Sequence, residues 1–182
     1  SIPSGATITN SGTATGFGGG KVLQVLTATD ITTRSTTSTS FVTASNTLSI
    51  NITPSATSSK ILVMYNFGSI CSFEGSCLGF GRISVSNDGF SSNETIPVSG
   101  GANQVQSQYA HFGLNLQTSS HQTHNGLCCS FIHSPNSTSA QTYRPKFWTE
   151  SGTGYIYINR SPRDNANDFS SVCFAYAMEL EG

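Results

Sequence analysis

The chain has 182 residues, only 9% of them charged, with a net charge of −1 and a pI near 6.4. Soluble domains carry about 25% charged residues, and nothing here supplies the basic field that draws nucleic acid or anionic membrane. The length suits one domain, or a domain plus a short arm, with a sizeable core, and no run approaches the roughly 20 apolar residues of a membrane-spanning helix.

Residues 1–20, SIPSGATITNSGTATGFGGG, show almost no apolar periodicity and end on Gly18 to Gly20, so they are expected to form an extended arm or linker. The chain opens on Ser1 without an initiator Met or a basic-then-apolar leader, as expected of a processed or trimmed start or of a stretch taken from a longer chain. Residues 21–182 are expected to form a single β-domain. Strands are predicted at Val22–Ala28, Ser40–Ala44, Leu48–Ile52, Ile61–Phe67, Leu78–Val85, Gln108–Leu116, Leu127–His133, Thr142–Thr149, Tyr155–Asn159 and Val172–Leu180, each bounded by turn residues. No window holds an i, i+3, i+4, i+7 apolar stripe, so helices should be nearly absent.

Period-two alternation sorts the faces. Phe112, Leu114 and Leu116 share one side, opposite His111, Gly113 and Asn115. In the last strand Val172, Phe174, Tyr176, Met178 and Leu180 oppose Cys173, Ala175 and Ala177, which are small enough to lie against another sheet or subunit. Short strands with turns every 8 to 15 residues predict an antiparallel β-sandwich of jelly-roll type. Ile61–Phe67 is apolar on both faces, which suits a central strand with one face in the core and the other against a partner chain. The connector before it, TPSATSS, is made almost only of hydroxyls, Pro and Ala. Solubility therefore rests on hydroxyls and amides rather than on charge.

Cys71, Cys77, Cys128, Cys129 and Cys173 are odd in number and lack zinc-ligand spacing. They read as small buried hydrophobes, with a Cys71–Cys77 loop disulfide as the sharper alternative. Asn51, Asn93, Asn136 and Asn159 open glycosylation acceptor triplets, a pattern that arises by chance in so Asn-, Ser- and Thr-rich a chain.

The series GKVLQVLTATD, STTSTSFVTAS, LSINITPSATSSKILVMYNF, FIHSPNSTSAQTYRPKFW and GYIYINR, closing on AMELEG, resembles a C-terminal β-rich module of tail-fibre and other virion appendage proteins of tailed bacteriophages of marine and cyanobacterial type. The resemblance spans about residues 20 to 182 and rests on strand-and-turn phrasing. It implies a structural or receptor-binding role on a virion, assembled in the host cytoplasm and exposed to the medium, usually as a homotrimer. The partners it implies are the chain itself, other virion proteins through the N-terminal arm, and a host-surface glycan or protein receptor. The loops CSFEGSC, VSGGANQ and SSHQTHNG acquire no role from it.

Motifs for chemistry are missing: no G-x-S-x-G elbow, P-loop, H-E-x-x-H or dinucleotide fingerprint occurs. Asp30, Glu74, Asp88, Glu94, Glu150, Asp164, Asp168, Glu179 and Glu181 are scattered over loops and strand ends. The expectation is a protein without enzymatic activity, cofactor or metal. A polysaccharide depolymerase, whose paired carboxylates could converge from different loops, and a purely architectural virion role (capsid fibre, decoration or baseplate scaffold) stand as alternatives. His121 and His124 share one polar loop, between His111 and His133. In YRPKFWTESGTGYIYINR, alternation puts Arg144, Lys146 and Trp148 opposite Tyr143 and Phe147, and the chain then turns toward Tyr155 and Tyr157. Rings flanked by Arg and amides suit sugar binding. The candidate ligand-binding residues are therefore Arg144, Trp148, Tyr155, Tyr157, His121 and His124. The polar connectors Ser86–Gln106, Thr118–Gly126 and Arg160–Ser171 would display further contacts from a rigid scaffold.

Overall fold

The structure, a computed structural model, describes residues 21–73, 77–97, 110–116, 122–150, 154–161 and 170–182. These form β1 (Val22–Asp30), β2 (Arg34–Thr36), β3 (Val42–Thr43), β4 (Ile50–Ile52), β5 (Lys60–Phe73), β6 (Cys77–Ser86), β7 (Phe112–Leu116), β8 (Gln122–His133), β9 (Gln141–Thr149), β10 (Tyr155–Ile158) and β11 (Cys173–Leu180). Among the described residues there is no helix, and every strand pair is antiparallel. The arm expected over residues 1–20 lies outside the described residues.

Two sheets enclose one core. The first runs β1-β11-β5-β10-β2, with β8 on the other edge of β5. The second runs β3-β9-β6-β7, with β4 also on β9. Alternation along β5 sends Ile61, Val63, Tyr65 and Phe67 inward, fully buried, while Leu62, Met64 and Asn66 face out and are half-buried. Across the core stand Ile50 and Ile52 of β4, Ile83 and Val85 of β6, and Tyr143 and Phe147 of β9. The Phe67 ring packs 5.6 Å from those of Phe112 and Phe147, and the Tyr65 hydroxyl donates to the Leu48 carbonyl at 2.9 Å, as a buried phenol requires. The small face of β11, Cys173, Ala175 and Ala177, meets this crowded interior. Its large residues, Phe174, Tyr176, Met178 and Leu180, point outward.

β2 and the outer half of β5 differ from expectation. The segment Gly68–Phe73 lies beyond the expected strand Ile61–Phe67, yet it is paired on both edges, by β10 and by β8. β11 accompanies β5 only as far as Phe67, and β10 takes over from Ile70. Gly68 marks the handover, where a Cβ would lie 2.5 Å from the Val172 carbonyl oxygen. Only glycine admits so close a backbone.

The hydroxyl-rich connector before β5 has a definite task. Glu179 of β11 points inward and is 1% exposed, with no cation among its partners in the described residues. Its carboxylate accepts from the Ser55 amide and hydroxyl at 2.6 Å each, from the Ser59 hydroxyl at 2.7 Å and from Gln24 Nε2 at 2.6 Å. Burial pushes its pKa up, but the Ser55, Ser59 and Gln24 donors outweigh burial and hold the group at about 2, against an ordinary 4.5. The bland connector thus clamps β11 to β1 and to the entry of β5. Because the folded value is depressed, this stabilisation is full above the ordinary carboxylate range and drains as pH falls from about 4.5 toward about 2. Glu179→Gln should lower the unfolding free energy by about 2 kcal/mol at pH 7. Urea denaturation should show the gap between variant and wild type closing below pH 4.5; a gap that persists unchanged at pH 2.5 would mean that the carboxylate is not the clamp.

Candidate functional site

β9 carries the alternation read from its sequence. Tyr143 and Phe147 lie in the core, while Arg144, Lys146 and Trp148 stand on the outer face of the second sheet. Register with β6 sets Phe80 beside Trp148, Arg82 beside Lys146 and Ser84 beside Arg144. A row of cations and rings therefore crosses two neighbouring strands.

The segment after β6 folds over this row as a strap. Thr95 exchanges both backbone hydrogen bonds with Val85, at 2.8 and 2.9 Å. Glu94 accepts from Arg82 Nη2 and from the Ser84 hydroxyl, both at 2.7 Å, and its other oxygen meets Lys146 Nζ. Burial raises the Glu94 pKa, but Lys146, Ser84 and Arg82 together carry it below the usual carboxylate range. Asp88 organises the strap tip by accepting the amides of Ser91, Ser92 and Asn93 and the hydroxyls of Ser86 and Ser92. Those donors depress its pKa strongly. Gly89 and Phe90 follow at φ 71° and 69°, and a bulky residue in the left-handed region is strained. The Phe90 ring lies under Arg144 at 4.5 Å and Lys146 at 5.1 Å, a cation–π bracket that opposes the strain. Arg144 also donates to the Ser49 hydroxyl at 2.8 Å, and Arg82 lies 4.1 Å over Phe41.

Trp148 stacks on Phe80 at 4.6 Å and tilts against Phe41 at 5.8 Å. It is a packed member of this face, so its removal would unpack its neighbours. Tyr155 and Tyr157 lie elsewhere. β10 does not pair with β9 as a hairpin; it joins the first sheet, between β5 and β2. Its inward Ile156 and Ile158 need the core, and the outer half of β5 needs an edge partner. The two tyrosines stack at 5.6 Å on that sheet's outer face, with Arg160 4.2 Å over Tyr157. The candidate residues thus divide between opposite outer faces, Arg144 and Trp148 on one, Tyr155 and Tyr157 on the other. His121 lies outside the described residues. His124 sits in β8 opposite Ile70, with its side chain outside the description.

Arg82, Phe41, Phe90 and Glu94 belong to the site without having been singled out from sequence. The alternation Phe80, Arg82, Ser84 against Ile83, Val85 carries a signal for Arg82; the strap contacts carry none. Among the described residues no three His, Cys, Asp or Glu side chains converge. His133 is hydrogen-bonded to the Tyr143 hydroxyl at 2.7 Å, and burial lowers its pKa. Cys71 is buried, its Sγ 3.4 Å from the Arg160 carbonyl oxygen, and the side chain of Cys77, its expected loop-disulfide partner, lies outside the described residues. Cys173 is also buried, and free, whereas Cys128 is exposed. Asn159 is fully buried and donates to the Asp30 and Thr32 carbonyls at 2.7 and 3.1 Å. It cannot accept a glycan.

No protein-family model matches the chain, and it has no significant match among curated proteins.

If Glu94 anchors the strap, Glu94→Ala should speed amide exchange at Thr95 by about tenfold or more at neutral pH while leaving β5 amides protected. Hydrogen-exchange mass spectrometry over the segment 86–97 measures this. Unchanged exchange would assign the anchoring to Phe90 and the Val85–Thr95 pairing alone.

Proposed function

We propose that this chain is a non-enzymatic virion appendage domain of a tailed bacteriophage, a tail-fibre-like module that assembles as a homotrimer and recognises the host surface. The observation that carries the reading is the contrast between the two outer faces. One, on β1, β11, β5 and β8, is mostly apolar, with Thr27, Thr29, Asn66 and Ser130 among its outward residues, and almost without charge. The other, on β6 and β9, sets Arg82, Arg144 and Lys146 among Phe41, Phe80, Phe90 and Trp148. A domain that is held by one face and displayed by the other fits an appendage. Residues 1–20 would join it to other virion proteins.

The strand orders support a jelly roll. The order β1-β11-β5-β8 in one sheet faces β4-β9-β6-β7 in the other, the pairing expected of two interleaved Greek keys. This architecture is common in capsid proteins and lectins, which agrees with a particle-borne, sugar-facing role. On that face Glu94 already engages Arg82 and Lys146, so the group offered to a glycan or an acidic surface polymer is the Arg144 guanidinium beside the rings, since guanidinium groups pair with carboxylates and rings stack on sugar faces. Avidity across three chains, and across many appendages, would multiply weak single contacts.

Support for a non-enzymatic reading comes from acidic residues among those described. Asp30 is bound by Arg34, Ser45 and Thr32, and Glu179 by its hydroxyl cage. Glu94 is engaged by the strap contacts. The competing reading is a purely architectural virion protein, which the same apolar face favours equally.

Purified protein should compete with adsorption of the particles that carry it. Arg144→Ala should weaken competition by about tenfold or more, the loss of a charge-assisted contact, without changing the thermal midpoint by more than a few degrees. No competition at saturating protein would transfer the reading to the architectural alternative. Release of reducing ends from host capsule or lipopolysaccharide would overturn the non-enzymatic assignment.

A further inference from the structure

β6 runs past its edge partner β7, and the backbone groups it leaves bare are closed one at a time. β7 pairs with β6 from Cys77 to Gly81, and Thr95 takes up both backbone groups of Val85. Between them, the Gly81 carbonyl accepts from the His111 amide at 2.8 Å, and the Ile83 amide donates to His111 Nδ1 at 3.0 Å. Pro145, opposite Ile83 on β9, has no N–H and turns its carbonyl to the Ala44 amide. The Ile83 amide therefore finds its acceptor on the β7 side. Ile83 is fully buried, and a buried amide without an acceptor is costly. The His111 imidazole stands where the carbonyl of a strand partner would.

The same ring seats β8, the margin of the first sheet. It lies 5.4 Å from the ring of Phe131, which packs against the core. Two residues further on, His133 is hydrogen-bonded to the buried Tyr143 hydroxyl at 2.7 Å. The seam between β8 and the second sheet is thus closed by an imidazole from each side. The two respond differently to a proton. The His133–Tyr143 bond can reverse its direction, because a hydroxyl both donates and accepts, whereas the Ile83 amide can only donate and needs a bare ring nitrogen.

We propose that His111 is an acid-operated latch: with Nδ1 bare it closes the edge of β6 and holds Phe131, and when Nδ1 takes a proton from water the seam between β8 and the second sheet opens there. The latch is a property of the fold and holds whichever role the chain has. Among the described residues, β8 presents Phe131, Cys129 and His133 along its inward row, and β9 presents Tyr143. Burial raises the pKa of Cys129 and Tyr143 and lowers that of His133. On β6, Arg82 lies beside Ile83 on the outer face, where Glu94 of the strap engages both it and Lys146. Asp30, Asp88, Glu94 and Glu179 are all held below the ordinary carboxylate range, so they stay ionised between pH 7.5 and pH 5. Because the closed form requires the bare ring, closure is complete above the ordinary histidine range near 6.5. It drains as pH falls below that value, by at most about tenfold per pH unit.

The test is amide exchange of the full chain, read by NMR and corrected for the intrinsic pH dependence of exchange. Ile83 should lose about tenfold or more of its protection between pH 7.5 and pH 5, while the Ala175 and Ala177 amides of β11 hold theirs. The His111 ring signals should titrate with the same midpoint. His111→Gln, whose side-chain carbonyl accepts at every pH, should keep Ile83 protected throughout, whereas His133→Gln should leave the wild-type loss in place. Protection at Ile83 that stays flat in the wild type, or that still falls in His111→Gln, overturns the latch. Should His111→Gln already lack protection at pH 7.5, the wild-type midpoints decide, and a His111 titration that leaves Ile83 exchange unmoved overturns it.

Discussion

β5 is hydrogen-bonded along both edges over nearly its whole fourteen residues, and the rest of the fold follows from that constraint. A strand with partners on both sides cannot be an edge, so its side chains are divided between the two faces of a sheet. One set, from Ile61 to Phe67, builds the interior with the large residues of β6 and β9. The other set is committed to the outer surface of the same sheet. The strand also outruns any single partner. β11 pairs with one half and β10 with the other, and Gly68 lets the chain pass at the junction, where any side chain would strike the Val172 carbonyl.

A chain this poor in charge still buries carboxylates, and its hydroxyls make that possible. An ionised carboxylate moved out of water needs several donors or a cation. Glu179 finds serine hydroxyls and an amide; Asp30 finds Arg34 at 2.6 Å, the Ser45 hydroxyl at 2.5 Å and the Thr32 amide at 2.9 Å. Burial pushes Asp30 upward, and these partners bring it below its ordinary value. Asp88 gathers the amides of its own loop. In each case one acid closes a connector that lacks regular structure, so serine-rich segments that look featureless become fixed points. The abundance of Ser and Thr is as much a means of anchoring loops as a means of staying in solution.

Much of the fold was legible in the sequence because period-two patterns are local. The alternation in β9 and β11 gave the correct faces, and turn residues bounded most strands. β2 escaped notice because Arg34–Thr36 carries no apolar alternation; it is a strand only because β10 lies beside it. Gly68 and Ser69 hid the outer half of β5 for the same reason. The nearness of Tyr155 to Trp148 in sequence suggested a single aromatic platform, but sheet membership is a long-range property, and the two residues lie on opposite faces. The row Arg144, Lys146, Trp148 was legible; its closure by Glu94 and Phe90 was not, since no local pattern encodes a contact fifty residues away.

The division of β11 shows how one strand serves two faces. Its alternating pattern places Ala and Cys inward and Phe, Tyr, Met and Leu outward. The inward choice is forced by Tyr65, Phe67, Tyr143 and Phe147, whose rings already fill the space between the sheets, so larger residues on β11 would overpack it. No comparable force acts on the outward residues. Thr, Ser or Lys would satisfy a solvated strand there, as Thr27 and Thr29 do on β1. Phe174, Tyr176, Met178 and Leu180 are half-buried there, and the part of them left in water forgoes about 25 cal/mol per Å² that burial would supply. The crowded inner face and the half-buried apolar outer face are thus two consequences of one strand's alternation.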